Sequence, residues 1–212
     1  MDDYQRAEIF KTNFFWDCFK ALEFNGISGD YAEFGCHGAR TFRYAYDQIK
    51  SRPKIARHLW AFDSFQGLPP PESEKDFHPV WKPGAMQTSL PQFEATLAEH
   101  GVDPSAYTTI EGYFSHSLFQ SDTAYPSDIA LAYIDCDLYS STRDALRFLQ
   151  DKLKPGMIIA FDDFFCWSND GISGEKAAFE EFEAAQTRWR FHRYRDYGWA
   201  GCSYVVEPVS PD

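Results

Sequence analysis

From Asp30 onward, short apolar runs alternate with stretches of helical period, a rhythm that commits the chain to a parallel sheet wrapped by helices. The strand-like runs lie at 30–34, 58–62, 107–111, 129–134, 157–161, 190–194 and 202–206, with helical patterns at 41–51, 90–100, 140–153 and 174–187 between them. Seven strands in this order predict an α/β fold: one doubly wound, mostly parallel sheet with helices on both faces. The last two runs are joined by a short turn, Asp196-Tyr197-Gly198-Trp199-Ala200-Gly201, which makes the last strand antiparallel to its neighbour.

Ahead of the sheet, residues 4–24 read as an amphipathic helix in which Ile9, Phe10, Phe14, Phe15, Phe19 and Leu22 return to one side. The reading is an N-terminal helical segment, 1–27, packed on a domain at 28–212; covering a ligand or a partner in a homodimer is its sharper alternative. A chain of 212 residues fits one globular domain overall. The connection at 63–89 is long and rich in proline, the character of a lid or binding loop.

Composition narrows the partners. Twenty Lys and Arg against 32 Asp and Glu give a formal charge of −12, which repels polyphosphate and argues against nucleic acid and anionic membrane. Five scattered cysteines form neither a disulfide framework nor a zinc site. The start of the sequence lacks a signal-peptide pattern, and no run approaches the roughly 20 apolar residues of a membrane span, so a reducing cytoplasm is the expected compartment. The high aromatic share, 18%, is read mainly as packing.

In open α/β sheets ligands bind beyond the carboxyl ends of the strands. The first run ends Glu33-Phe34-Gly35-Cys36-His37-Gly38, a glycine turn that lets backbone approach a ligand or simply turns tightly. The second ends in Asp63, placed to accept from ribose hydroxyls, or to cap the following loop. The third ends Glu111-Gly112-Tyr113-Phe114, where aromatics can stack on an adenine or fill the core. The fourth delivers Asp135 and Asp137, followed by Ser140, Ser141 and Thr142 as helix caps, and the fifth delivers Asp162 and Asp163. Acids converging from adjacent strand ends repel one another, and a divalent cation with oxygen ligands, such as Mg²⁺, is the simplest compensation.

The blocks EFGCHGARTF, FDSFQGLPPP, YIDCDLYSSTRDAL and KPGMIIAFDDF resemble, in order and spacing, those of the macrocin O-methyltransferase (TylF) family over roughly residues 28 to 185. The resemblance implies a class I, Rossmann-like methyltransferase fold and transfer of a methyl group from S-adenosylmethionine to a hydroxyl of a small molecule, a sugar or glycosylated natural product. It implies S-adenosylmethionine over Glu33, Phe34, Gly35 and Thr41, with Asp63 and Ser64 at its ribose, Gly112, Tyr113 and Phe114 near adenine, and Asp135 beside it. It also implies Mg²⁺ on Asp135, Asp162 and Asp163, and makes Asp135 and Asp137 catalytic, Asp137 as general base.

The D-x-D string also fits a metal-dependent nucleotide-sugar glycosyltransferase, which leaves the glycine turn and Asp63 without work; a non-catalytic binding relative is a further alternative. His37 and His116 admit structural and ligand-facing readings alike, and Trp167 and Ser168 are candidates to border the acceptor pocket. Glu175, Glu180, Glu181 and Glu183 read as a solvated helix face.

Overall fold

The computed structural model describes residues 2–55 and 58–209, so the last three residues of the 28–212 segment lie outside it. The strands are β1 (Asp30–Phe34), β2 (Leu59–Asp63), β3 (Tyr107–Glu111), β4 (Ile129–Ile134), β5 (Ile158–Phe161), β6 (Trp189–Tyr197) and β7 (Gly201–Pro208). The longer helices are α1 (Asp3–Phe24), α2 (Arg40–Ser51), α3 (Leu90–Glu99), α5 (Tyr139–Leu149) and α6 (Gly174–Ala184), with the single turn α4 (Phe114–Ser117) after β3. The sheet order is β3-β2-β1-β4-β5-β7-β6. Its first five strands are parallel, and β7 slots between β5 and β6, antiparallel to both. Strand order therefore reverses between β1 and β4, and the two outward loops there part to leave a crevice.

The central strands read as continuous apolar runs because both of their faces are covered. On one face, Phe14, Phe15 and Phe19 of α1, Phe42 of α2 and Phe93 of α3 close over Tyr31 and Tyr133. On the other, Phe114, Phe148 of α5 and Phe179 of α6 close over Phe34, Phe62 and Phe161. Most of the aromatic excess is spent here, as expected from the sequence. All five cysteines are free and buried, and among the described residues no helix is long and apolar enough to cross a membrane.

α1 begins at a reciprocal capping box between Asp2 and Gln5. Its apolar stripe divides. Phe14, Phe15, Cys18, Phe19 and Leu22 are buried, whereas Ile9 and Phe10 are about half exposed and overhang the carboxyl edge of the sheet. The sequence reading put Ile9 and Phe10 on one side with Phe14, Phe15, Phe19 and Leu22; the first turns run past the edge of the sheet, so only the later turns have a core beneath them.

The 63–89 connection is anchored in its middle. Asp76, 2% exposed, accepts from the amides of Glu72 and Ser73 in its own loop and from the amide of Ser140 at the start of α5. It thus caps α5, the role expected of Ser140, Ser141 and Thr142; Leu138 stands at the cap position with no side-chain bond, and the Thr142 hydroxyl turns back to the Leu138 carbonyl.

Candidate functional site

At the crevice between β1 and β4 lies a cavity of about 320 Å³. Gly35, Thr41, Asp63, Ser64, Tyr113, Phe114, Asp135, Asp137, Asp162 and Asp163 of the sequence-derived set line it, and the 63–89 connection supplies Gly67, Leu68, Pro69, Trp81 and Met86 as a wall. His37 also borders it, paired with Thr88 at 2.9 Å.

Three expected contacts fall elsewhere. Alternation along β1 turns Phe34 to the α4–α5 face, stacked on Phe62 at 4.8 Å, so its side chain is core. Glu33 is fully buried beneath the cavity wall, held by the hydroxyls of Tyr31 and Thr41. Burial outweighs those two hydrogen bonds and pushes its carboxyl up to about 8. Gly112 makes the tight turn into α4, its amide donating to the Asp63 carbonyl and its own carbonyl accepting from Ser117. What these residues supply is the shape of the wall.

Asp63 ties the two loops together. One carboxylate oxygen accepts from the Cys36 amide at 2.6 Å and the other from the Phe65 amide at 2.7 Å, while burial raises its proton affinity against both bonds.

The acids converge. Asp135 follows β4 directly, and Asp162 and Asp163 follow β5; each offers an oxygen, all within 4.8 Å of one another. Burial first, then the facing charge of Asp162, pushes Asp135 well above the carboxylate range and Asp163 up to about 6. Asp137 also rises well above its ordinary value, through burial and through Asp163, with which it shares a hydrogen bond. It sits in the left-handed region at φ 61, a conformation a non-glycine residue holds only where its surroundings fix it. A cluster of hard oxygen donors that raise one another's proton affinity fits a divalent cation in its donor chemistry.

Two members of this site escaped the sequence reading. Lys11 reaches down from α1 to the carboxylate of Asp162 at 2.5 Å, and although burial disfavours its charge, Asp162 and Asp135 together keep its proton affinity raised. Nothing local in the sequence marks it; only the overhang of α1 brings it there. Glu175 was placed on a solvated helix face, yet it is fully buried at the start of α6 and touches the loops after β4 and β5. The signal was there in the odd spacing: Glu175 falls among Ala177, Ala178 and Phe179, on the buried stretch of α6, while Glu180 and Glu181 are exposed.

A second cavity, of about 540 Å³, opens on the far side of the acids between α1 and the β6–β7 hairpin. It shares Lys11, Arg40, Asp162 and Asp163 with the first. Arg6 and Phe10 line it from α1, and Tyr197 and Trp199 from the hairpin. Trp199, 80% exposed, borders this cavity, and Ser168 lines a separate groove with Pro71 and Phe77.

Comparison with known proteins gives the family and the fold. The chain is 28% identical over 154 residues to 8-demethyl-8-(2,3-dimethoxy-alpha-L-rhamnosyl)-tetracenomycin-C 4'-O-methyltransferase of Streptomyces olivaceus, covering 69% of this chain and 57% of that protein. It is 25% identical over 154 residues to mycinamicin III 3''-O-methyltransferase of Micromonospora griseorubida, covering 69% and 59%. The matched stretch thus spans under two thirds of either relative. The fold is that of the O-methyltransferase NovP, with a TM-score of 0.76 at 19% identity over 96% of this chain and 88% of that one. A family model for macrocin-O-methyltransferase (TylF) matches residues 11–187, from α1 to the loop after α6, and the chain therefore belongs to the TylF family.

Proposed function

We propose that this protein transfers a methyl group from S-adenosylmethionine to a hydroxyl of a sugar-bearing small molecule, with a divalent cation at Asp135, Asp162 and Asp163. The observation that carries the reading is the meeting of two cavities at one acidic cluster, one floored by the glycine turn and Asp63, the other open between α1 and the hairpin. A two-substrate transfer needs such a junction, because the donor carbon and acceptor oxygen must be aligned within one site. One relative named above is, by its name, a 4'-O-methyltransferase of a rhamnosyl-tetracenomycin, which supports a glycosylated acceptor.

In this reading Gly35 and Thr41 line the methionine end of the donor, Asp63 and Ser64 its ribose, and Tyr113 and Phe114 its adenine. Asp135, Asp162 and Asp163 would hold the cation, which would supply Lewis acidity toward the acceptor hydroxyl. Asp137 accepts the hydroxyl proton, Asp135 stands both beside the donor and among the cation's ligands, and Lys11 neutralises part of the cluster's charge. A nucleotide-sugar glycosyltransferase would leave the glycine turn and Asp63 unemployed, and family membership counts against it.

Calorimetry tests the donor and the metal separately. S-adenosylmethionine is expected to bind in EDTA and with Mg²⁺, and Mg²⁺ to bind the chain in its own titration. Absence of S-adenosylmethionine binding under both conditions overturns the methyl-transfer reading.

The second cavity has its own test. An exposed tryptophan at the mouth of a cavity is a stacking surface for a sugar ring or flat aglycone, a contact worth about 1 kcal/mol. With mycinamicin III or a rhamnosyl-tetracenomycin as the probe, Trp199→Ala is expected to raise the acceptor KM by severalfold to about tenfold while S-adenosylmethionine affinity holds. An unchanged KM for every acceptor that turns over would remove Trp199 from acceptor binding.

A further inference from the structure

The ladder between β4 and β5 ends where the Asp162 amide donates to the Ile134 carbonyl at 2.9 Å. Beyond that point the two strands diverge into loops, and these loops carry all the acids of the cluster. Main-chain amides there have lost their ladder partners in a buried place, where an unpaired N–H is costly.

Glu175 fills the gap. One of its carboxyl oxygens accepts from the amide of Cys136, the residue between Asp135 and Asp137, at 3.2 Å. The other accepts from the amide of Asp163 itself at 2.9 Å. The side chain is fully buried, so it is not there for solubility. Its helix is pressed onto the same loops: a Cβ on Gly174, at φ +60, would come within 3.0 Å of the Asp137 carbonyl oxygen and 3.2 Å of that of Cys166.

We infer that Glu175 is a positioning residue for the acidic cluster, splicing the chain after β4 to the chain after β5 and so setting Asp135 against Asp162 and Asp163. A carboxyl group suits the task because it presents two acceptors on one planar fork to two donors. Glutamine offers one acceptor and would turn an NH₂ toward the second N–H. Aspartate keeps the two acceptors but is one methylene short of spanning both loops from the same helix position. Cation ligands need this kind of support, since loss of an outer partner typically costs 10–100-fold in metal affinity.

This inference rests on reading the cluster as a divalent-cation site, and Mn²⁺ serves as the probe. Glu175→Gln and Glu175→Asp are both expected to weaken Mn²⁺ binding at least about tenfold in calorimetry, with S-adenosylmethionine binding in EDTA retained and near-UV circular dichroism confirming a folded chain. Folded variants that bind Mn²⁺ as the unaltered protein does overturn the positioning role and leave the metal reading intact. Loss in Glu175→Gln with none in Glu175→Asp overturns it too, since charge alone then suffices. An unaltered protein that binds no Mn²⁺ overturns both readings. Should the variants not fold, the unaltered protein still decides: Mg²⁺ is expected to move the carboxyl ¹³C resonance of Glu175 and not that of Glu181, and an unmoved Glu175 resonance sinks the inference.

Discussion

Asp137→Asn is expected to lower turnover by on the order of 10²–10⁴-fold, the usual worth of a general base, while S-adenosylmethionine binding stays as it is. The substitution is chosen because the structure tolerates it. Asp137 stands at φ 61, and asparagine occupies the left-handed region more readily than other non-glycine residues. Asp137 and Asp163 share a hydrogen bond, and an amide NH₂ can donate to Asp163 in the same place. Shape, strain and the bond to Asp163 therefore survive, and what disappears is the capacity to take a proton. Alanine would be a poorer probe, because it removes the bond as well and sits less easily at positive φ. The measurement is release of S-adenosylhomocysteine at saturating Mg²⁺ and acceptor, beside calorimetry of the donor. Turnover within about threefold of the unaltered protein would take Asp137 out of the base role, and proton transfer would then have to pass to another acid of the cluster.

Physical locality separates what was legible in the sequence from what was not. Strand positions were readable because parallel strands buried on both faces announce themselves as apolar runs, as IALAYI at 129–134 does in β4. The three convergent acids were readable because strand ends in such a sheet lie side by side, so residues far apart in sequence inherit a common edge. Side-chain direction was not fully readable. Glu33 and Phe34 are adjacent, and a strand sends them to opposite faces, so both could not line one cavity. Lys11, Asp76 and Glu175 act at a distance from their own segments, on Asp162, on the Ser140 amide and on the amides of Cys136 and Asp163. Each is a charged residue whose partner lies far away in sequence, so its own segment does not name that partner.

Gly35→Ala is expected to be the most damaging single-methyl change at the site. Gly35 closes β1 at φ +90, where an L side chain is strained in any surroundings. Here the surroundings are closed as well: a Cβ would lie 1.9 Å from the main-chain oxygen of Asp135 and 2.8 Å from its carbonyl carbon. Those atoms are backbone and cannot swing aside. They belong to the residue whose amide pairs with the Phe34 carbonyl, so β4 must move away from β1 at the point where strand order reverses. Adding the strain of positive φ, about 1–2 kcal/mol, to overpacking of about 1–3 kcal/mol or more takes a large part of a typical stability of 5–15 kcal/mol. For a chain of this size that corresponds to a fall in Tm of about 10 °C. Asp135 is displaced in the same movement, so Mn²⁺ binding is expected to fall with stability. Gly38→Ala is the control: Gly38 also has positive φ, 64°, yet nothing lies within 4 Å of its added Cβ, so only the backbone strain applies. Thermal unfolding of the two variants side by side distinguishes close approach from conformation alone. Equal losses in the two would mean that β1 and β4 are not held in contact at Gly35, and that the floor of the donor cavity has more freedom than this packing allows.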